Sequence, residues 1–391
     1  MPTFYNFIED GVVRSFDDVF IPADVFRDGN LFTWGKNSLV QLGTNNTTNT
    51  STPVTTFAGG TNWKQVSSGF FHAAAIKTDG TLWTWGIGSY GRLGTNDTNT
   101  RSTPVTTFAG GTNWKQVTCC NDSTAAIKTD GTLWTWGNGG FGQLGNGATT
   151  GNISTPVTTF AGGTNWKQLS AGNTYCAAIK TDGTLWTWGR GLYGRLGTND
   201  TTNRSTPVTT FAGGTNWKQV SAGSNGHSAG IKTDGTLWTW GSGGSGRLGN
   251  NSTSNTSTPV TTFAGGTNWK EVSSGGYHTA AIKTDGTLWG WGIDVILQLG
   301  DNDTTNKSTP VTTFAGGTNW KQVSSGFYNI AAIKTDGTLW TWGKGLYGQL
   351  GTNDTDNRST PVTTFAGGTN WKQVSSGRDY CIASTFDDPV I

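Results

Sequence analysis

The chain is short of most of the residues from which reactive sites are built. It has four cysteines and three histidines in 391 residues, 13% of its residues are charged, and its formal net charge is +2. Four thiols without metal-ligand spacing exclude a disulfide framework and a zinc centre as organising features. A charge so close to zero gives no footprint for nucleic acid. No apolar run is long enough to span a membrane as a helix, so membrane insertion is not expected. The start, MPTFYNFIEDGVV, has no basic stretch followed by an apolar run and a small-residue cleavage site.

What is abundant is glycine, 60 residues, and tryptophan, 20 residues. The tryptophan that ends each TWG or GWG falls at Trp34, Trp85, Trp136, Trp188, Trp240, Trp291 and Trp342, in steps of 51 or 52 residues. A second tryptophan, in NWK, recurs seven times from Trp63 to Trp371. Length alone suggests two or three domains, but an unbroken period points to one closed array.

That period also disposes of a tempting motif. GRGLYGRLG, Gly189 to Gly197, carries the G-x-G-x-x-G spacing of dinucleotide-binding turns, and the same spacing starts at Gly86, Gly137, Gly241 and Gly343. A phosphate-binding turn must open a helix. Here TNDTTNRSTPVTTF follows, with no apolar residues at helical spacing. The glycines are expected to be structural turns, and no cofactor is expected.

Within a repeat, WKQVSSG, HAAAIK, TLWTWG and TPVTTF read as short strands separated by glycine turns, KTDG and a long polar loop. Four strands per repeat, seven times, make an all-β fold, a seven-bladed β-propeller of four-stranded blades. Trp83 and Trp85, two residues apart, share a face and are expected to pack blade on blade. Each buried tryptophan covers about 150–250 Å², an upper estimate of ~4–6 kcal/mol.

VSSGGYHTAAIKTDGTLWGWG, Val272 to Gly292, with GLYGQLG, Gly345 to Gly351, resembles the repeat of the regulator of chromosome condensation family. The resemblance runs from Gly29 to about Ser384. It implies WKQVSSG as the innermost strand. Because the first repeat begins late and the last stops early, Trp371 to Ser384 and Asn30 to Phe57 are expected to complete one blade, closing the ring by pairing N- and C-terminal strands. Residues 29–385 then form the propeller, 1–28 an N-terminal segment and 386–391 a tail. The family includes a guanine-nucleotide exchange factor on chromatin, which implies a wedge-like insertion between strands. These repeats differ by one residue and have none, so exchange is not expected.

Catalysis is not expected either. His72, His227 and His278 share a repeat position that elsewhere holds Ser123, Tyr175, Asn329 or Tyr380. Their expected role is structural, a ring nitrogen bonding a nearby turn. Cys119, Cys120, Cys176 and Cys381 read as buried thiols.

Binding features remain. Lys64, Lys115, Lys167, Lys218, Lys270, Lys321 and Lys372 begin the innermost strands, and sevenfold geometry sets them around one end of the channel as a candidate anion ring. Solvated lysines answered by turn carboxylates such as Asp79 and Asp130 are the alternative. Loops such as TNDTTNRST invite sugar or calcium, although Asx turns explain them. Loop positions with Tyr90, Phe141, Tyr193 or Tyr347 become NSLVQLG and DVILQLG in two repeats, gaining Leu39, Val40, Val295, Ile296 and Leu297 as candidate partner contacts. In residues 1–28, six acidic residues stand against two basic ones. Phe4, Tyr5, Phe7, Phe16 and Phe20 of this segment are candidate anchors.

STPVTTFAGGTNWK recurs unchanged in all seven repeats. That wording resembles phage and marine bacterial propellers. The expected function is a non-enzymatic structural or recognition propeller on a phage particle, with other virion proteins as partners, a virion location and a host surface glycan as a further ligand. The alternatives are a cytoplasmic regulatory propeller that binds one protein, of exchange-factor or enzyme-inhibitor type, and a multivalent lectin.

Overall fold

The computed structural model describes residues 7–9, 12–14 and 28–386. Phe7–Glu9 and Val12–Arg14 form a short antiparallel pair of their own. The side-chain roles proposed for Phe4, Tyr5, Phe7, Phe16 and Phe20 lie outside the described residues.

Residues 28–386 form seven four-stranded antiparallel sheets. In blade one the strands run outward as Trp63–Ser68, His72–Lys77, Leu82–Gly86 and Arg101–Thr106. The second strand is buried on both faces along HAAAI. That explains its run of alanines: a small residue on each face leaves room for the indoles of the next blade. The outer strand carries a proline, Pro104 in blade one, which removes a donor from an exposed edge.

The seventh blade takes Trp371–Ser376 and Tyr380–Phe386 from one end of the chain and Asp28–Gly35 and Thr50–Thr55 from the other. Leu31 lies opposite Ser384, and Asp28 opposite Phe386. The expected two-plus-two closure is therefore present.

Adjacent blades meet through tryptophan. Trp114 and Trp136 of blade two bury against Ala74, Ile76 and Leu82 of blade one. Trp136 Nε1 donates to Arg92 O in the loop of the preceding blade at 2.9 Å, and the equivalent indole does so in all seven blades. The other tryptophan of TLWTWG is only half-buried. Trp83 donates to Thr81 Oγ1 at 2.9 Å, and Lys77 Nζ sits 4.5 Å from its ring centre and 4.8 Å from that of Trp63.

Around the channel the innermost strands splay too far apart for a backbone ladder, and side chains bridge them. Gln65 accepts from Val117 N at 2.8 Å and donates to Val117 O at 3.0 Å. The same position bonds to the next blade at every other junction. One turn of strand away, Ser67 Oγ accepts from Cys119 N at 2.9 Å, and its equivalents repeat the bond at five further junctions.

A third belt joins second strands. His72 Nε2 lies 2.7 Å from Thr124 Oγ1 and His227 Nε2 3.0 Å from Thr279 Oγ1, each on the following blade. Tyr175 and Tyr380, at the same repeat position, donate to His227 O and His72 O at 2.6 Å. The imidazoles thus bond the adjacent blade and not a nearby turn, because their strand start is covered completely by the neighbouring sheet. His278 meets Ile330 where the others meet threonine, and both its ring nitrogens lack partners.

Two exceptions in these belts titrate. Glu271 replaces glutamine; it accepts from Val323 N at 2.9 Å but, ionised, has no proton for Val323 O. Burial pushes its carboxyl up to about 7 from 4.5, so folding is increasingly penalised as pH rises from about 4.5 through 7. Glu271→Gln should leave stability nearly unchanged at the acid end of that window and raise it by up to about 3 kcal/mol above it, measured by urea unfolding across pH. His278 has the opposite sign. Burial, with Arg247 nearby, holds it at about 3 against 6.5, so stability is lost as pH falls below about 6.5. His278→Asn, the residue of blade six at that position, should flatten the acid limb of the melting-temperature profile.

Candidate functional site

Antiparallel pairing of His72 with Gly86 puts the S-G-x-x loops and the long glycine loops at one end of the sheets. The KTDG turns and the lysine ring lie at the other. The propeller therefore has a loop face and a lysine face.

On the lysine face, Lys64, Lys115, Lys167, Lys218, Lys270 and Lys321 are exposed and Lys372 is half-buried. Lys64, Lys115, Lys321 and Lys372, with Gln65, Gln322 and Gln373, line one cavity of about 400 Å³. Burial lowers the Lys372 ammonium, and Lys321 and Lys372 Nζ each sit 5.7 Å from the Phe386 ring centre.

On the loop face the glycines are filled by protein. A Cβ at Gly88 would lie 1.9 Å from Asn99 O, and one at Gly94 would lie 2.8 Å from Trp136 Nε1. The G-x-G-x-x-G spacing is the path by which the loop reaches the next blade's indole. The acidic loops beyond are largely self-neutralised: Arg101 and Arg204 each pair with the aspartate four residues earlier at 2.5 Å, and Arg358 pairs with Asp354. Among the described residues no three His, Cys, Asp or Glu side chains cluster as metal ligands. The four cysteines are free and buried, and burial pushes the Cys119 thiol up.

The candidate partner contacts are unevenly presented. Val295 is 60% exposed, Tyr90 and Tyr193 43% and Phe141 36%. Leu39, Val40, Ile296, Leu297 and Tyr347 are half-buried. Val40 and Leu297 occupy the repeat position of Gly91 and share its left-handed backbone, with φ of 55° and 64°. A β-branched or bulky residue there is strained. The same two loops replace Gly88 by Asn37 and Asp294, whose Oδ1 atoms accept from Leu42 N at 3.0 Å and Leu299 N at 2.8 Å. Burial and the Asp301 carboxyl beside it push Asp294 up to about 8.

Two groups of aromatic residues carry no sequence-based expectation. Phe70, Tyr277, Phe327 and Tyr328 meet above the channel, with Phe327 ring centres 5.1 Å from Phe70, 5.2 Å from Tyr277 and 4.6 Å from Tyr328. Arg378 caps Phe70 and Phe327. The signal was there: the two residues before the histidine position vary among repeats. The second group is a phenylalanine per blade, Phe57 to Phe365, each about two-thirds exposed or more.

Cations outnumber anions on the loop face. Arg92 pairs with Asp122 at 2.9 Å and Lys344 with Asp379 at 3.2 Å. Arg190, Arg195 and Arg247 have no carboxylate within 4 Å among the described residues and lie over Phe141, over Tyr175 and Tyr193, and over Tyr277. Desolvation lowers the Arg195 and Arg247 guanidiniums.

The comparisons with known proteins agree with this architecture. A family profile described as RCC1-like domain matches residues 23–266 and 154–391. The ultraviolet-B receptor UVR8 of Arabidopsis thaliana is 32% identical over 328 residues, covering 82% of this chain and 74% of that protein. The E3 ubiquitin-protein ligase HERC2 of Homo sapiens is 31% identical over 264 residues, 66% of this chain but 5% of that protein. Among solved structures, human WBSCR16 superposes with a TM-score of 0.80 at 18% identity, over 92% of this chain and 99% of that one. Prp20p of Saccharomyces cerevisiae, studied for its binding to Gsp1p and histones, gives 0.78 at 19%, over 92% of each chain. With the family profile spanning the whole ring and a relative above 30% identity along most of both chains, this chain belongs to the RCC1-like domain family.

Proposed function

We propose that the chain is a binding propeller without chemistry of its own, and that its loop face docks a protein partner. The observation that supports this is the left-handed backbone of Val40 and Leu297 at a glycine position of the repeat. Val40 and Leu297 adopt a conformation that glycine takes in five sister loops, so folding alone favours glycine there. Displaying Val295 at the tip of one such loop is a use for that strain. The excess of arginine over carboxylate, interleaved with Tyr90, Tyr193, Tyr277 and Phe70, suits an acidic partner surface and supplies aromatic and arginine anchors. Prp20p, of the same fold, is described as binding Gsp1p and histones, which supports a protein partner here.

The finer reading is a component of a phage particle, held through residues 1–28 and presenting the ring outward. It is supported by the seven identical STPVTTFAGGTNWK segments, which packing does not require, and by the avidity that many copies would give weak contacts.

Two measurements test these readings. Leu297→Gly should stabilise the fold by about 1 kcal/mol in denaturant unfolding. The same substitution should weaken retention of the partner that co-purifies with the native protein, identified by mass spectrometry. Unchanged retention in Leu297→Gly and in Val295→Ser together would refute docking at these loops. Recovery of capsid or tail proteins with the full chain, lost on deleting residues 1–28, is the result expected of a virion component; one soluble enzyme or GTPase, retained without that segment, overturns it.

A further inference from the structure

One repeat position is answered differently between blades three, four and five. Four blades end the long loop in QLG and three in RLG, which places Arg92, Arg195 and Arg247 at one repeat position. Arg92 shows what such an arginine takes as a partner: Asp122 of the next blade, at 2.9 Å. At the equivalent of Asp122, Arg195 meets Gly226 and Arg247 meets Tyr277. A Cβ at Gly226 would lie 2.5 Å from Arg195 Cζ, so this chain has no side chain there to answer the charge.

Blade four also carries one extra residue in its first loop, GSNGH where the others have the length of GFFH. The lengthened loop opens a cavity of about 340 Å³ lined by Asn173, Arg190, Tyr193, Arg195, Asn225 and Arg247 among others. Arg195 and Arg247 are 4% and 6% exposed. Arg195 donates Nε to Leu192 O and Nη1 to Thr174 Oγ1, and Arg247 donates Nε to Gly244 O. Their remaining terminal N–H groups have no acceptor among the described residues. Asn173 Oδ1 and Asn225 Nδ2, both in the lining, are buried without partners.

We infer that this cavity is an oxyanion site that takes a phosphate monoester, held between Arg190, Arg195 and Arg247 with Asn225 as a neutral donor. A dianion answers three guanidiniums better than one carboxylate does, and its oxygens match their planar forks. Tyr193 and Tyr277 flank the opening, and the group that carries the phosphate would lie between them. The site belongs to the loop face proposed above for docking, but its occupancy does not depend on any partner.

The test is calorimetric titration of the full chain with inorganic phosphate and with phenyl phosphate at neutral pH. Both should bind saturably, and acetate should bind at least about tenfold more weakly. Arg195→Gln and Arg247→Gln install the residue that four sister blades carry, so folding should survive, checked by thermal melts. Each should weaken phosphate binding about tenfold or more, whereas Arg92→Gln, whose charge Asp122 already answers, should not change it. A phosphopeptide that binds more tightly than phenyl phosphate would place the phosphate on a protein partner, and a sugar phosphate that does so would place it on a small ligand. Absence of saturable binding, equal affinity for acetate, or binding that persists in the Arg195→Gln and Arg247→Gln double variant overturns the site. Because no partner is present, such a failure leaves loop-face docking standing, and a failure of docking leaves the phosphate site standing.

Discussion

The ring depends on one contact made seven times, the indole N–H of each blade given to a loop carbonyl of the blade before it. Trp85 reaches Gln41 O and Trp136 reaches Arg92 O, each at 2.9 Å. Because the donor is fully buried, its bond must be made, and the loop that supplies the carbonyl cannot move without stranding it. The loop's glycines are set by the same requirement, since its last residue lies against the indole ring. Loop, interface and blade angle are thus one constraint. The glutamine, serine and histidine belts extend it inward, and every one of these bonds reaches from a blade toward its neighbour.

Much of this was legible in the sequence. The 51- to 52-residue tryptophan period, four β-compatible runs per repeat and half-repeats at both ends were enough for the propeller and its closure. The glycine loops were legible as structure because five copies of a cofactor motif are four too many. The belts were not legible. Gln65 and Ser67 look like ordinary polar residues on a strand, and only the splay of innermost strands about an axis turns them into bridges. The same splay misdirected the reading of the histidines, whose partner lies a full repeat away in sequence, as in His72 and Thr124.

The candidate site was legible in proportion to its distance from the sevenfold pattern. NSLVQLG and DVILQLG stood out as departures, and the structure gives the departure a physical content in the backbone strain at Val40 and Leu297. Arg195 and Arg247 did not stand out, because arginine and glutamine both recur at that position. What distinguishes them from Arg92 is the absence of a carboxylate on the following blade, and that is a relation between residues about 30 apart. Phe57 and its equivalents were hidden for the opposite reason: a residue identical in every repeat reads as core until its exposure is seen.

The closing blade has a geometric consequence. Asp28 pairs with Phe386 at the end of the sheet where Lys321 and Lys372 approach the Phe386 ring, so the chain enters and leaves the ring side by side on the lysine face. Anything continued from either end is tethered there, at a single azimuth of the disc. The loop face, with its strained tips and arginine cavity, lies on the far side of the disc. Its angular position relative to the tether is set by counting blades, as a clock hand is set by its dial.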